Sequence, residues 1–165
     1  MALETTLEFV LRWVNTSVLD LSTIRDSSNV SGSDTLTSGT GLDQADRIFH
    51  DRRSLAATTE ELDLAGSLTD VFGAALTFVK VKGIWIKNNN TTAAQTLTVG
   101  GAASNAFLLF ADATDKMAIG PNSQLFRWEP SLAGIPVTAG TGDKLKFDAG
   151  AVTISYDIVI IGTSA

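Results

Sequence analysis

From residue 47 onward the chain is cut by turn residues into short alternating segments about every 8–12 positions, a rhythm that suits a sandwich or barrel and no helical bundle. The clearest segment is Val152–Ile161. There Val152, Ile154, Tyr156, Ile158 and Ile160 alternate with Thr153, Ser155 and Asp157. Successive side chains of a strand point to opposite faces, so this pattern predicts a central strand with its isoleucine side in the core. Val159 and Ile161 predict partial cover on the other side. Further strands are expected at Arg47–Ser54, Glu60–Leu64, Leu76–Asn88, Leu97–Val99, Ala106–Phe110, Lys116–Ile119, Ser123–Trp128 and Lys144–Phe147. Residues 65–75 are expected as a turn or a single helical turn. Within Leu76–Asn88 the apolar register changes near Gly83, the mark of a bulge or bend. No repeat with a period of about 20–50 residues is visible, which argues against propellers and solenoids.

The N-terminal region reads differently. Leu3, Thr5, Leu7, Phe9, Leu11 and Trp13 fall on one side and Glu4, Thr6, Glu8, Val10, Arg12 and Val14 on the other. This predicts a half-buried strand. Leu3, Leu7, Val10, Leu11 and Val14 also fit a helical stripe, but the threonines and aromatics favour the strand. Residues 22–46 are poor in large apolar groups and have no period. They offer little to offset an ordering entropy of roughly 1–2 kcal/mol per residue, so an extended loop or contact arm is expected. The residues before it are too few to form a domain. The expectation is one domain over 1–165: an N-terminal strand in 1–21, the loop or arm in 22–46, and the main sandwich in 47–165.

Composition excludes several classes. Hydrophobic residues make up 44% and charged residues 18% of 165, which rules out a disordered chain. No apolar run reaches the ~18 residues of a membrane-spanning helix, so no membrane partner is expected. An acid, Glu4, stands where a signal peptide needs basic residues, so secretion is not expected, and the sequons at Asn15, Asn29, Asn89 and Asn90 carry no weight. There is no cysteine, hence no disulfide or thiolate site. With a net charge of −6 and no concentrated basic surface, no nucleic-acid partner is expected.

Catalytic and ligand chemistry finds little to stand on. His50 is the only histidine, and no Gly-x-Ser-x-Gly turn accompanies it. Asp34, Asp43, Asp46 and Asp51 lack the ordered spacing of a calcium loop. Gly140-Thr-Gly-Asp-Lys144 lacks the phosphate-loop frame and reads as a hairpin turn, with glycine supplying positive φ. Glu60 and Glu61 are adjacent, so a strand points them to opposite faces. Trp13, Trp85 and Trp128 are the residues from which a sugar-stacking surface would be built, although aromatics in sandwiches are more often core or interface. The expectation is no enzyme, no cofactor and no metal.

An ordered set of segments carries a resemblance. Arg53–Gly73 is followed by Lys82-Gly-Ile-Trp-Ile-Lys-Asn88, then Gly101–Phe107, Val137–Phe147 and Tyr156-Asp-Ile-Val-Ile-Ile-Gly162. This order resembles small virion proteins of tailed bacteriophages, especially the jelly-roll capsid decoration (cement) proteins, over residues 47–163. The resemblance implies an all-β antiparallel sandwich of jelly-roll type, a place on the capsid exterior after synthesis in the host bacterial cytoplasm, and the major capsid protein as partner. It also implies a homo-oligomer, a trimer ahead of a dimer. Within that role Arg47, Arg52 and Arg53, the densest basic group, are candidate interface residues, with Phe9 and Trp13 on the first strand. A tail, fibre or receptor-binding jelly roll and a carbohydrate-binding module are the alternatives.

Overall fold

The structure, a computed structural model, describes residues 2–165. The strands, in chain order, are β1 (Thr5–Val18), β2 (Thr23–Ser38), β3 (Gln44–Ala45), β4 (Arg47–Ala56), β5 (Thr59–Asp63), β6 (Leu68–Thr69), β7 (Ala75–Leu76), β8 (Lys80–Asn88), β9 (Leu97–Gly100), β10 (Lys116–Ile119), β11 (Gln124–Trp128), β12 (Ile135–Pro136), β13 (Lys144–Asp148) and β14 (Thr153–Thr163). No helix forms among the described residues.

Two antiparallel sheets make the body. One has the order β11-β8-β14-β4, with β12 also on β8; the other has the order β10-β9-β13-β5. Their facing sides share one apolar core that includes Ile84, Ile86, Leu97, Val99, Leu145 and Phe147. Across it the rings of Phe147 and Tyr156 stack with centroids 4.6 Å apart. The chain is thus an all-β protein with a β-sandwich body. β14 is central as expected, between β8 and β4, and its Ile154, Tyr156, Ile158 and Ile160 are at most 1% exposed.

The irregularity expected near Gly83 is present. Ile161 pairs with Gly83 but Gly162 pairs with Val81, so Lys82 is the extra residue on β8. A side chain at Gly162 would run into the Lys80 carbonyl and the Phe78 ring, so the close approach at this bulge requires glycine.

One expectation in the body is corrected and another narrowed. Ala106–Phe110 is no strand: Ala106 makes one bridge to Lys144, and Phe107 and Leu109 enter the core from irregular backbone. Positive φ at Gly100, Gly101 and Asn105 turns the chain too sharply there for a ladder. Of the two forms expected for residues 65–75, the turn is present and the helical turn is not. These residues form the small β6–β7 hairpin, whose loop is tied by the Asp70 carboxylate accepting from the Phe72 and Ala74 N–H groups at 2.9 Å.

The N-terminal region lies apart from this core. β1 and β2 pair antiparallel over 14 rows, from Thr5 opposite Leu36 to Val18 opposite Thr23. Residues 22–46 therefore do supply an arm, but Thr23–Ser38 is strand rather than loop. The strand expected at 3–14 is present as part of β1, but its expected half-burial is corrected, because from Phe9 onward both of its faces are exposed. The missing period of β2 has a physical reason. Alternation records which face is buried, and this hairpin buries neither along most of its length. At about 3.4 Å per residue the paired arm is about 45 Å long, whereas a body of the remaining chain's size is roughly 35 Å across.

Candidate docking surface

The pairing of β1 with β2 sorts the arm's side chains. Directly opposed residues share a face, so Leu7, Phe9, Leu11, Trp13, Val30 and Ile24 lie on one face, together with Asp34 and Asp26. The other face carries Val10, Val14 and Val18 among Glu8, Arg12, Arg25 and a row of serines and threonines. Phe9 is 51% exposed, Leu11 63% and Trp13 39%. The two rings rest against β2. Phe9 lies over Gly32, filling the place a side chain there would take, and the Trp13 indole N–H donates to Asp26 Oδ2 at 3.2 Å. The arm ends in a tight turn in which Leu19 N–H donates to Ser22 O at 2.8 Å, leaving the side chain of Leu21 wholly exposed and Leu19 half so. An isolated two-stranded hairpin is marginal in water, and here Phe9, Leu11, Trp13 and Val30 form an exposed apolar stretch along one face.

The arm's base is fixed to the body. Leu36 and Ala45 pack with Ile161, and Leu3, Ile48, Trp128 and Val159 close around them. β3 pairs parallel with β2 through Thr37 and Ser38. Asp43 N–H donates to Pro130 O at 3.1 Å, and the Asp46 carboxylate accepts from Ser164 N–H at 2.9 Å and from its hydroxyl at 2.6 Å. Lys82, the bulge residue, is completely buried and donates to the carbonyls of Ser131 and, at 3.4 Å, of Gly41 in the loop below the arm. Burial, with repulsion from Lys80, holds its ammonium below the ordinary lysine range.

The side of the β11-β8-β14-β4 sheet turned away from the core continues this surface. Cross-strand register aligns Ile48, Ile161, Gly83 and Trp128 in one row, under the arm's base. The next row is His50, Val159, Trp85 and Phe126; the one after it is Arg52, Asp157, Lys87 and Gln124. Phe126 is 45% exposed and stacks on Trp128 with centroids 6.1 Å apart. The Trp85 indole N–H donates to Gln124 Oε1 at 2.8 Å. Arg52 grips Asp157 with two bonds of 2.6 and 2.9 Å, and this holds the carboxyl below its usual range against the opposing effect of burial. A shallow groove of about 490 Å³ runs between His50, Arg52, Trp85, Asp157 and Val159.

The three arginines expected to act together are divided by strand alternation. Arg52 lies on the outer face, whereas Arg53 points to the core side and donates to Glu60 at 2.6 Å and to Asp51 at 2.8 Å. Those bonds, led by Glu60, raise its basicity, and the buried Tyr156 hydroxyl donates to the same Glu60. Arg47 sits 3.3 Å from Asp46 at the arm's base. The tryptophans are divided as well, with Trp13 on the arm and Trp85 and Trp128 on the sheet. The exposed His50 stands beside Val159 on the outer face. The Gly140 turn has φ +73°, and its N–H donates to the Asp143 carboxylate. Among the described residues no group of three or more His, Asp or Glu side chains is placed to hold a metal ion.

Residue reasoning missed the arm's tip and the Trp85–Phe126 row. The signal for the tip was Val18-Leu-Asp-Leu21, three large apolar residues ending a strand at a turn. Geometrically, the molecule is a β-sandwich bearing a long, apolar, surface-projecting hairpin. No family model, curated protein or solved structure matches the chain.

Proposed function

We propose that the protein is a structural virion protein that binds and stabilises the outer surface of a bacteriophage capsid, as a decoration protein with a jelly-roll body. The observation that carries this reading is the arm. Its apolar tip, Val18, Leu19 and Leu21, stands at the far end of a hairpin longer than the body is wide. Such a device reaches a surface and grips it, with the sandwich as the knob left outside. The resemblance of the order of segments to that of decoration proteins supports the same role. In an oligomer several weak tip contacts with the major capsid protein add through effective concentration, and the net charge of −6 keeps free subunits apart before assembly.

The test is binding to purified capsids stripped of the protein. Wild-type chain is expected to bind saturably, with many copies spread over the head. Leu19→Ser with Leu21→Ser is expected to bind at least about tenfold more weakly, since burying each leucine contributes roughly 1.5–3 kcal/mol. A handful of copies at the tail would replace this reading by a tail or fibre role. Unchanged binding by the tip variant would remove the arm from it.

A further inference from the structure

Beyond the tip lies the question of what covers the arm's long apolar face. We infer that it is the outer sheet face of a second copy of this chain: Phe9, Leu11 and Trp13 of one protomer lie over Val159, Trp85 and Phe126 of another.

Continuity with a contact already present in the chain is the first ground. Leu36 stands opposite Thr5, so the face of the hairpin that packs on Ile48, Ile161 and Trp128 at its base is the face that carries Phe9, Leu11 and Trp13 farther out. The sheet likewise continues. Its row under the arm's base is covered, and the adjacent row of Val159, Trp85 and Phe126 is left half-open. One surface runs out past the body and its partner surface is left uncovered on the body. Within a chain the two meet only at the base, where Leu3 and Leu36 pack against Ile48, Ile161 and Trp128, and the proposed contact extends that packing by one row.

Charge and area agree with this occupant. The arm face carries Asp26 and Asp34, and the receiving rows carry Arg52 and Lys87 against the single acid Asp157. The stretch Leu7–Trp13 with its partner strand is about 24 Å long and offers roughly 250 Å² on one face, well short of the ~800 Å² per partner of a standard interface. Seating each arm on a neighbour while receiving another on its own sheet gives every protomer two such contacts, a total of about 1,000 Å² that suits a reversible association at the low end of specific interfaces. The contact joins different patches, so it closes by exchange between copies or around a ring.

The inference rests on the arm being a docking element, and it is tested without capsids, so its failure leaves the tip's reading standing. Light scattering of the full chain over a concentration series is expected to give a mass of two or three chains. An arm variant, Leu11→Asp, and a variant of the receiving face beside the groove, Phe126→Asp (the groove variant), are each expected to be monomeric, or weakened at least about tenfold by a charge placed in an apolar contact. Arg52→Glu, at an exposed position, serves as a second groove variant should Phe126→Asp disturb folding. The decisive arm is the mixture. The groove variant keeps its arm and the arm variant keeps its groove, so together they are expected to form a one-to-one complex that neither forms alone, weaker than the wild-type assembly because one of its two contacts is restored. A wild-type chain that stays monomeric at high concentration overturns the inference. So do groove variants that self-associate like wild type, which would mean that arms pack on arms.

Discussion

The body and the arm of this protein are both antiparallel ladders, yet they are held up by different things. In the body, β14 has strands on both sides and a sheet beneath it, and Ile158 is 1% exposed. In the arm, β1 has one partner strand, and Leu11 is 63% exposed. Backbone hydrogen bonds are similar in the two, and each contributes only about 0.5–1.5 kcal/mol net. The difference is apolar burial, at roughly 25 cal/mol per Å². A ladder over a core stabilises itself, whereas a ladder in solvent waits for a surface to supply the missing burial.

Paired substitutions break or sharpen this contrast. Ile158→Ala leaves a cavity in the core and is expected to cost about 2–5 kcal/mol in urea unfolding. Leu11→Ala, measured on dilute protein, is expected to cost less than about 0.5 kcal/mol, as surface changes usually do. Comparable losses at both sites would mean that the arm is buried in the free protein. A smaller effect is expected from glycine. Gly162→Ala sets a methyl against the Lys80 carbonyl, which is backbone and cannot yield, and a loss of about 1–3 kcal/mol is expected. Gly32→Ala meets only the Phe9 ring, which is free to swing off the strand. Its cost in unfolding is expected to be a few tenths of a kcal/mol at most, while its effect on self-association is larger, because the flat apolar face is lost. If Gly32→Ala lowers stability as much as Gly162→Ala, the ring is not free.

How much of this was legible in the sequence follows from the same contrast. Ile154, Tyr156, Ile158 and Ile160 announce β14 because one face is buried and the period records it. The bulge at Lys82 is visible for the same reason, since the buried set changes parity there. β2 carries no such record: Thr23, Ile24, Val30 and Thr35 favour extended backbone, but no face of β2 is buried long enough to impose alternation. The Trp85–Phe126–Val159 row was out of reach, because its members come from β8, β11 and β14 and only the register brings them together. Separating Arg52 from Arg53 needed no structure. Adjacent strand residues point to opposite faces, and that rule applied to this pair would have divided the supposed basic patch.

The smallest expected effect concerns the outer-face ion pair of Arg52 and Asp157. Its two bonds, of 2.6 and 2.9 Å, hold the Asp157 carboxyl below its usual range. The unfolded chain therefore binds this proton at a higher pH than the folded chain does, and stability rises with pH across the interval between the two values. The contribution is complete above the ordinary carboxylate range, near pH 4, and disappears as pH falls through the lowered folded value. Arg52 is largely solvated and the pair is screened by salt, so the effect is slight beside any core substitution. Arg52→Gln is accordingly expected to lower the urea midpoint a little at about pH 6, and by progressively less as pH falls below the ordinary carboxylate range. A deficit that does not shrink as pH falls would show that Arg52 acts through packing over the sheet's outer face rather than through the charge of Asp157.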